Sequence, residues 1–354
     1  MGFNLIARAN NHGMDYGAEM LFEETEILDK AGFVHAGAGR NLSEATMPAY
    51  LETGGGRAAL VSLCTDFPPH CPAGEQRRDM KGRPGINPLR HDVRYVLDAE
   101  SFLNLKKICT KLGFKKGIGE NNIFFLKNVF DLGDKSTVVW KVRNSDLDRN
   151  IRTIKDARRA TDYVFVHIHH STNENGSPAL RIQHAARKFI DSGADVIIGD
   201  GPHIIQGIEI YKNKPIFYSL GNFFYQSETI KRFPTEFYER SGLDDQATPQ
   251  DALDMRDKLR TGKVVREGII PSRVGEWYMR WFETIVAVCD FEDRELTELK
   301  VYPVWTYHEH RSQRGRPMLA EEDNGKRIIN YLSQCSSQWY TEIDFKEGLG
   351  NVKL

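Results

Sequence analysis

Polar side chains cluster where four predicted strands end, and their types could transfer protons or bind a metal ion. The four groups are Asn10, Asn11, His12 and Asp15; His167, His169 and His170; Asp200 and His203; and Asn222. Amide, imidazole and carboxylate groups form the ligand set that zinc, manganese or iron takes in a hydrolytic centre. Imidazoles and carboxylates also act as general acids and bases. Ligands bind beyond the carboxyl ends of the strands in open α/β sheets, so the four groups are predicted to share one site.

Each group taken alone also has a structural interpretation. Asn10 and Asn11 could form Asx-turns, and Asp15 could cap the helix that is predicted to follow it. Side chains alternate between the two faces of a strand, so His167 and His169 are predicted to share one face while His170 lies on the other. One or two of these histidines would then be structural. The coincidence of four groups at four strand ends favours a shared site.

The elements that must position these groups alternate between strand and helix patterns. Strands are predicted at 3–9, 57–65, 162–170, 194–200 and 214–222, and helices at 16–31 and 177–193. Strands separated by helices of this length are typical of a largely parallel sheet covered on both faces. The predicted fold class is therefore α/β.

The length of 354 residues suits one large domain or two ordinary ones. We interpret residues 1–354 as a single domain with aperiodic insertions at about 66–92 and 226–275, and with a hairpin and a helix in the C-terminal part, 276–354. Long loops of this kind are often functional.

Composition excludes several classes of protein. The net charge of −1 gives no field that would attract nucleic acid or an anionic membrane. No apolar run reaches the roughly 18 residues that span a bilayer, and the first residues do not form a secretory signal. The five cysteines are scattered without a CxxC pair, which favours reduced thiols and a cytoplasmic location.

Two predicted loops place arginine between glycine and proline. GRPGINPLR (82–90) contains Arg83 and Arg90, and QRGRPMLA (313–320) contains Arg314 and Arg316. Guanidinium groups match the geometry of carboxylates and phosphates. These arginines are therefore candidate substrate contacts, although solvated surface arginines are equally common in such turns.

Three long stretches show a family resemblance: ANNHGMDYG (9–17), LDKAGFVHAGAGRNLSEA (28–45) and ADVIIGDGPHIIQGIEIYKNKPIFYSLGNF (194–223). They resemble the CapA family of poly-gamma-glutamate capsule-synthesis proteins, within the metallophosphoesterase-like superfamily. The resemblance implies a four-layer sandwich of mixed, largely parallel sheets flanked by helices, with a metal site at the carboxyl ends of the central strands. It implies that Asn11 binds metal, that His12 donates a proton, and that His169 and His203 are the histidines of two family site motifs.

The sequence departs from the family pattern at several positions. In the family, a Gly-Asp strand with the first metal-binding aspartate precedes the ANNH segment, which here begins within ten residues of Met1. Two interpretations are open: the sequence starts at an internal methionine, or the chain has lost this strand, in which case a homo-oligomer could cover the sheet edge left exposed. Asp200 replaces the first histidine of the family's GHxPH motif. The set Asn11, His169, Asp200 and His203 could hold one ion of manganese, zinc or iron rather than two, or none.

Three functions are compatible with these residues. The first is a metal-dependent hydrolase or transferase that acts on a phosphoester or on a peptide-like or polyglutamate-like substrate. The second is a metal-independent acid–base enzyme such as a peptide epimerase or isomerase. The third is a non-catalytic binding or assembly subunit for an anionic polymer or peptide. In the first, the catalytic residues are His12, His169 and Asp200, and the substrate contacts are Asn10, Asp15, His167, His170, Asn222, Arg83, Arg90 and Arg316.

Overall fold

The computed structural model describes residues 2–114, 116–171, 177–226, 230–261, 279–307, 313 and 315–354. The chain divides into two compact units. Unit 1 comprises Met1–Glu52, Ala59–Ala160 and Ala179–Ser192, and unit 2 comprises Thr53–Ala58, Thr161–Pro178 and Gly193–Leu354. The single-domain interpretation of residues 1–354 stays a prediction.

Helices and strands alternate through much of the chain. The described helices are α1 (Gly17–Lys30), α2 (Leu42–Thr46), α3 (Ala99–Lys111), α4 (Asn144–Ala160), α5 (Leu180–Asp191), α6 (Thr235–Ser241), α7 (Pro249–Thr261) and α8 (Glu322–Ser336). The described strands are β1 (Leu5–Ala7), β2 (Val34–Ala36), β3 (Ala38–Gly39), β4 (Ala49–Thr53), β5 (Gly56–Cys64), β6 (Gly85–Ile86), β7 (His91–Leu97), β8 (Asn122–Phe125), β9 (Asn128–Leu132), β10 (Thr137–Val142), β11 (Tyr163–His169), β12 (Val196–Asp200), β13 (Ile208–Tyr211), β14 (Lys214–Phe217), β15 (Glu283–Glu292), β16 (Glu295–Trp305), β17 (Met318–Leu319), β18 (Ile343–Lys346) and β19 (Leu349–Val352). The predicted α/β fold class is confirmed.

Unit 1 contains a short parallel pair, β1 and β2, and a four-stranded sheet in the order β10-β7-β9-β8. In that sheet, β7 and β9 are parallel and the other neighbours are antiparallel. Helix α3 begins where the Asp98 carboxylate accepts a hydrogen bond from the Ser101 amide at 2.9 Å. It buries Phe102 and Cys109 against Ile123 of β8, and this contact fixes the helix to the sheet.

The predicted insertion at 66–92 is an ordered loop that packs onto its own unit. Bridges join Cys64 to Pro88, Pro72 to Ile86 and Gly74 to Arg83. Ile86 is fully buried. Besides these bridges, the short strand β6 pairs with β3 and β7 begins at His91, so the prediction of a wholly aperiodic insertion is corrected; two-residue strands are too short to leave a period in the sequence.

Unit 2 contains strands in the order β13-β14-β12-β11. β11, β12 and β14 run parallel, and β13 pairs antiparallel with β14. The parallel arrangement predicted from the sequence is confirmed here. In the C-terminal part, the hairpin β15–β16 buries Ile285 and Val301 together with Ile328, Ile329 and Leu332 of α8. A second hairpin, β18–β19, follows that helix.

The prediction of an aperiodic excursion over 226–275 is corrected by two helices, α6 and α7. Helix α7 begins with a reciprocal cap in which the Thr248 amide donates to Asp251 Oδ2 at 2.8 Å and the Asp251 amide donates to Thr248 Oγ1 at 3.3 Å. Ala252 and Leu253 are buried. Residues 227–229 and 262–275 of this range lie outside the described residues. Among the described helices, none has the length and apolar character needed to cross a bilayer.

A buried carboxylate anchors helix α4 to the start of β7. Asp146 is fully buried and accepts hydrogen bonds from the Arg90 amide at 2.9 Å, from Arg90 Nε and Nη2 at 2.7 Å each, and from Arg149 Nη1 at 2.8 Å. Burial raises the pKa of Asp146, but the hydrogen bonds and charge of Arg90, with help from Arg149, outweigh it and hold the pKa below its ordinary value. The carboxylate is therefore ionised in the folded protein at neutral pH.

Replacing Arg90 with glutamine is expected to destabilise the protein at pH 7 by about 2–4 kcal/mol, since a buried carboxylate loses its main partner. The Arg90 side chain is 35% exposed, so water can solvate part of the site in the variant. The loss of stability is therefore smaller than the loss on breaking a fully buried ion pair. The ionised Asp146 stabilises the fold above its unfolded-state pKa of about 3.9, and this contribution is lost as the pH falls through the lower folded-state pKa. In the variant, burial is opposed only by the amide of residue 90 and by Arg149, so the folded-state pKa of Asp146 lies higher than in the parent and the difference in unfolding free energy should shrink between pH 7 and pH 4. Urea unfolding followed by circular dichroism measures it.

The matched control is Arg94→Gln in β7, the strand that directly follows Arg90. Arg94 Nε pairs with Asp131 Oδ2 at 2.8 Å, but its side chain is 58% exposed. An exposed pair of this kind contributes less than about 1 kcal/mol. Equal losses in the two variants at pH 7 would contradict the role assigned to Arg90.

Candidate functional site

Two neighbouring parallel strands place two histidines and a carboxylate together in unit 2. β11 and β12 pair with His169 opposite Asp200, at the carboxyl ends of both strands. His167 lies two residues earlier on β11 and therefore projects to the same face as His169. Asp200 Oδ1 lies 2.7 Å from His169 Nδ1 and 3.0 Å from His167 Nε2. We call these three residues the His–Asp cluster.

The Asp200 carboxylate is held in its ionised form. Burial raises its pKa, but the charges and hydrogen bonds of His167 and His169 outweigh this and lower the pKa far below the ordinary value. Both imidazoles are largely buried, whereas the Asp200 side chain is 48% exposed. The cluster thus combines a fixed pair of rings with a carboxylate that solvent can reach.

Gly201 follows Asp200 directly and packs against the His169 ring. Its φ is +101°, a backbone conformation that residues other than glycine rarely adopt. A Cβ atom there would lie 2.3 Å from the His170 carbonyl oxygen and 3.1 Å from His169 Cε1 and Nε2. Only glycine fits, and its backbone limits the positions that the His169 imidazole can take.

His170 occupies a structural position. Its ring is buried, with Nε2 at 2.7 Å from the Tyr218 carbonyl oxygen and Nδ1 at 3.0 Å from the Ser171 carbonyl oxygen. Burial lowers the pKa of His170. A neutral imidazole has one N–H, so it can donate to one of these two carbonyls. The placement agrees with the structural interpretation of one of the three histidines; a contact of His170 with substrate stays a prediction.

His203 and Asn222 form a second contact in unit 2. His203 has a φ of +62° and an exposed ring, and its Nδ1 lies 2.9 Å from Asn222 Oδ1. The ring stacks on Trp281, with centroids 4.8 Å apart and an interplanar angle of 22°. The Asn222 amide also donates to the Trp281 carbonyl oxygen at 3.1 Å. Sequence reasoning missed Trp281, because no local pattern connects it with a histidine that precedes it by 78 positions.

The N-terminal group is organised within unit 1. His12 Nδ1 lies 2.7 Å from Asp15 Oδ2, and the His12 amide donates to Asn10 Oδ1 at 2.8 Å. Both side chains are exposed. The alternative interpretation of Asp15 as a helix cap is wrong, since α1 begins at Gly17 after Tyr16 and has no side-chain cap. The backbone oxygen of Asn11 lies 3.7 Å from Cys71 Sγ. The convergence of this group with those of unit 2 stays a prediction.

The predicted arginine contacts have different surroundings. The Arg83 guanidinium donates to the Pro72 carbonyl oxygen at 2.9 and 3.2 Å, and that of Arg90 contacts Asp146 as described above. Arg316 is exposed, and its amide donates to the Gln313 carbonyl oxygen at 3.0 Å. Arg314 lies outside the described residues. A role for these arginines in substrate binding stays a prediction.

Of the predicted metal ligands, His169 and Asp200 lie in hydrogen-bond contact within unit 2, and metal binding by Asn11, His169, Asp200 and His203 stays a prediction. In the part of the chain that the structure describes, no group of three or more His, Cys, Asp or Glu side chains could hold a metal ion. His169 Nδ1 and His167 Nε2 face Asp200 Oδ1 at hydrogen-bond distance, so each must carry the proton that it donates to the carboxylate. Metal-binding histidines commonly donate one ring N–H to a carboxylate, and so do histidines that transfer protons, so the contacts with Asp200 are compatible with both roles.

Comparison with known proteins identifies relatives of the whole chain. Residues 1–227 match the family model described as bacterial capsule synthesis protein PGA_cap. The uncharacterized protein y4sH of Sinorhizobium fredii (strain NBRC 101917 / NGR234) is 33% identical over 361 residues, which cover 100% of this chain and 77% of that protein.

Two further relatives have more descriptive names. The PGA biosynthesis protein CapA of Bacillus subtilis (strain 168) is 26% identical over 281 residues, covering 75% of this chain and 57% of that protein. A probable polyglutamine synthesis accessory protein of Mycobacterium tuberculosis (strain CDC 1551 / Oshkosh) is 25% identical over 224 residues, covering 62% of this chain and 44% of that protein. The predicted resemblance is confirmed, and the chain belongs to the bacterial capsule synthesis protein PGA_cap family, that of the CapA proteins.

Proposed function

We propose that the chain is a CapA-like enzyme that uses the His–Asp cluster for acid–base chemistry on a peptide-like or polyglutamate-like substrate, by hydrolysis or group transfer. The observation that supports the proposal is the pairing of His169 Nδ1 with Asp200 Oδ1 at 2.7 Å, at the ends of adjacent parallel strands. A carboxylate bonded to one ring nitrogen is the usual device for orienting a catalytic imidazole.

The chemistry follows from the direction of that hydrogen bond. Because Asp200 is ionised, it accepts the proton on His169 Nδ1 and so fixes the ring tautomer. His169 Nε2 is then the nitrogen with a lone pair, and it would take a proton from the attacking water or hydroxyl group. The resulting imidazolium is stabilised by the carboxylate, and it would return the proton to the leaving group.

The substrate class is supported by the relatives. Their printed names concern PGA biosynthesis and polyglutamine synthesis, so an amide-linked glutamyl chain is the first substrate to test. A phosphoester is the second, because the chain resembles the metallophosphoesterase-like superfamily. Poly-γ-glutamate and p-nitrophenyl phosphate are suitable probes of the two classes.

Asp200→Asn is expected to lower the turnover of the active probe by about 10²–10⁴-fold, because the amide keeps the shape of the carboxylate but cannot stabilise the imidazolium. His169→Ala should reduce turnover at least as far. The rates are measured by chromatography of glutamyl products or by release of nitrophenol.

The control is His184→Ala, which removes an exposed histidine of α5. It should keep turnover within about twofold of the parent, since a surface substitution perturbs little. If Asp200→Asn retained full turnover while folding normally, the proposed role of the cluster would be untenable.

Removal of divalent metal ions is expected to leave this activity intact. The proposed proton transfer uses the imidazole of His169 and the Asp200 carboxylate, and no metal ion takes part in it. Turnover after dialysis against EDTA is compared with turnover after adding back manganese, zinc or iron. Loss on chelation with recovery on one of these ions would instead establish the metal-dependent hydrolase or transferase predicted from the sequence.

A second candidate reaction is proton transfer at a peptide Cα, as in an epimerase. It is favoured by the contact of one carboxylate oxygen with two imidazoles, His167 and His169, since two proton carriers then lie side by side. Incubation of glutamyl peptides in D₂O should, in that case, place deuterium at Cα, and the signal should disappear in Asp200→Asn. Hydrolysis products without deuterium at Cα would favour the first reaction.

A further inference from the structure

A cavity of about 450 Å³ lies in unit 1, between α1, α2 and the loop that precedes β6. It is lined by Phe22, Arg40, Asn41, Glu44, Gln76, Lys81, Gly82 and Pro84. Its volume falls within the roughly 300–1,000 Å³ of typical small-ligand sites. None of the candidate site residues predicted from the sequence lines it. We call it the Arg40–Lys81 pocket.

Hydrogen bonds and close packing hold the walls of the pocket in place. Asn41 accepts the Glu44 amide at 3.0 Å, and its own amide group donates to Gln76 Oε1 at 3.1 Å. Gly82 has a φ of +85°, and a Cβ there would lie 2.7 Å from the Gly74 carbonyl oxygen and 2.8 Å from Asn41 Cβ. The loop is therefore packed directly against the cap of α2, which gives the pocket a defined shape.

The pocket presents more positive than negative charge. Two cations, Arg40 and Lys81, and one carboxylate, Glu44, line it. Glu44 Oε2 accepts the Arg40 amide at 2.9 Å. Within the described ranges, neither the Arg40 guanidinium nor the Lys81 ammonium has an ion-pair or hydrogen-bond partner. Apart from Lys81, the segment 75–83 contains three basic and two acidic residues, which add one further positive charge nearby.

The lining combines three kinds of group, and together they indicate the ligand. Arg40 and Lys81 suit carboxylates, Phe22 and Pro84 suit short aliphatic chains, and Glu44 with Gln76 can accept amide N–H groups. A bare inorganic anion would use only the two cations. A peptide of acidic residues offers carboxylates, methylene groups and amides at once.

We propose that the Arg40–Lys81 pocket binds an acidic peptide, with Arg40 and Lys81 contacting its side-chain carboxylates. This binding site is separate from the proposed acid–base chemistry and is argued from the pocket alone. It adds recognition of an anionic chain to unit 1. It also differs from the arginine contacts predicted from the sequence, since neither cation belongs to that set.

The test is calorimetric titration of the full chain with hexaglutamate, with hexaglutamine of equal length as the neutral probe. The double variant Arg40→Gln/Lys81→Gln should weaken hexaglutamate binding by about three- to thirtyfold, as expected for the loss of two exposed charge contacts. The matched control, Lys107→Gln/Arg159→Gln, removes one lysine and one arginine from exposed positions of α3 and α4 in the same unit. It should change the affinity by less than about twofold.

Three results would overturn the proposal: no binding of hexaglutamate by the parent chain, equal weakening in the two double variants, or displacement of hexaglutamate by inorganic phosphate at equal concentration. The last would show that the pocket recognises a bare anion. Should the pocket double variant unfold, Lys81→Glu alone provides the same test at an exposed position, with weaker binding expected. Binding is measured without turnover, so a negative result here is distinguishable from failure of the proposed enzymatic function.

Discussion

The sharing of Asp200 Oδ1 between His167 and His169 is the interaction on which the proposed chemistry depends. Partial burial of a carboxylate disfavours its charge, and two N–H donors on one oxygen outweigh that cost. The parallel register of β11 and β12 makes the arrangement possible, since it brings residue 169 opposite residue 200 although 31 positions separate them in sequence. The geometry of the pair is thus a property of the sheet rather than of a loop.

Each unit contains a carboxylate that two neighbouring side chains keep ionised by hydrogen bonds, but the two carboxylates differ in their exposure to solvent. Asp146 in unit 1 is completely buried between Arg90 and Arg149, and it joins a helix to a strand. Asp200 in unit 2 is bonded to imidazoles, a type of side chain that acts as a general acid and base, whereas guanidinium groups stay protonated. The same electrostatic device therefore serves structure in one unit and is suited to chemistry in the other.

The sequence predicts those parts of the molecule in which local pattern and burial agree. The apolar runs of β11 and β12 are buried on both faces, so their strand character and the grouping of His167, His169 and Asp200 could be predicted. Strand β13 was missed, although the turn before β14, Lys212 and Asn213 with φ of +52° and +57°, is typical of a two-residue hairpin. Helix α7 was missed although Thr248 and Asp251 have the spacing of a cap. The stacking of Trp281 on His203 and the Arg40–Lys81 pocket depend on contacts between distant segments, which no local pattern contains.

The close approach of Gly201 to His169 has a consequence for how this protein can diversify. A position that admits no side chain cannot be used to reshape the space around the imidazole, so natural or laboratory selection must leave it unchanged. Any change in the space around the imidazole must then come from other residues. The proposed acid–base chemistry would therefore be harder to alter by substitution than the recognition of a substrate.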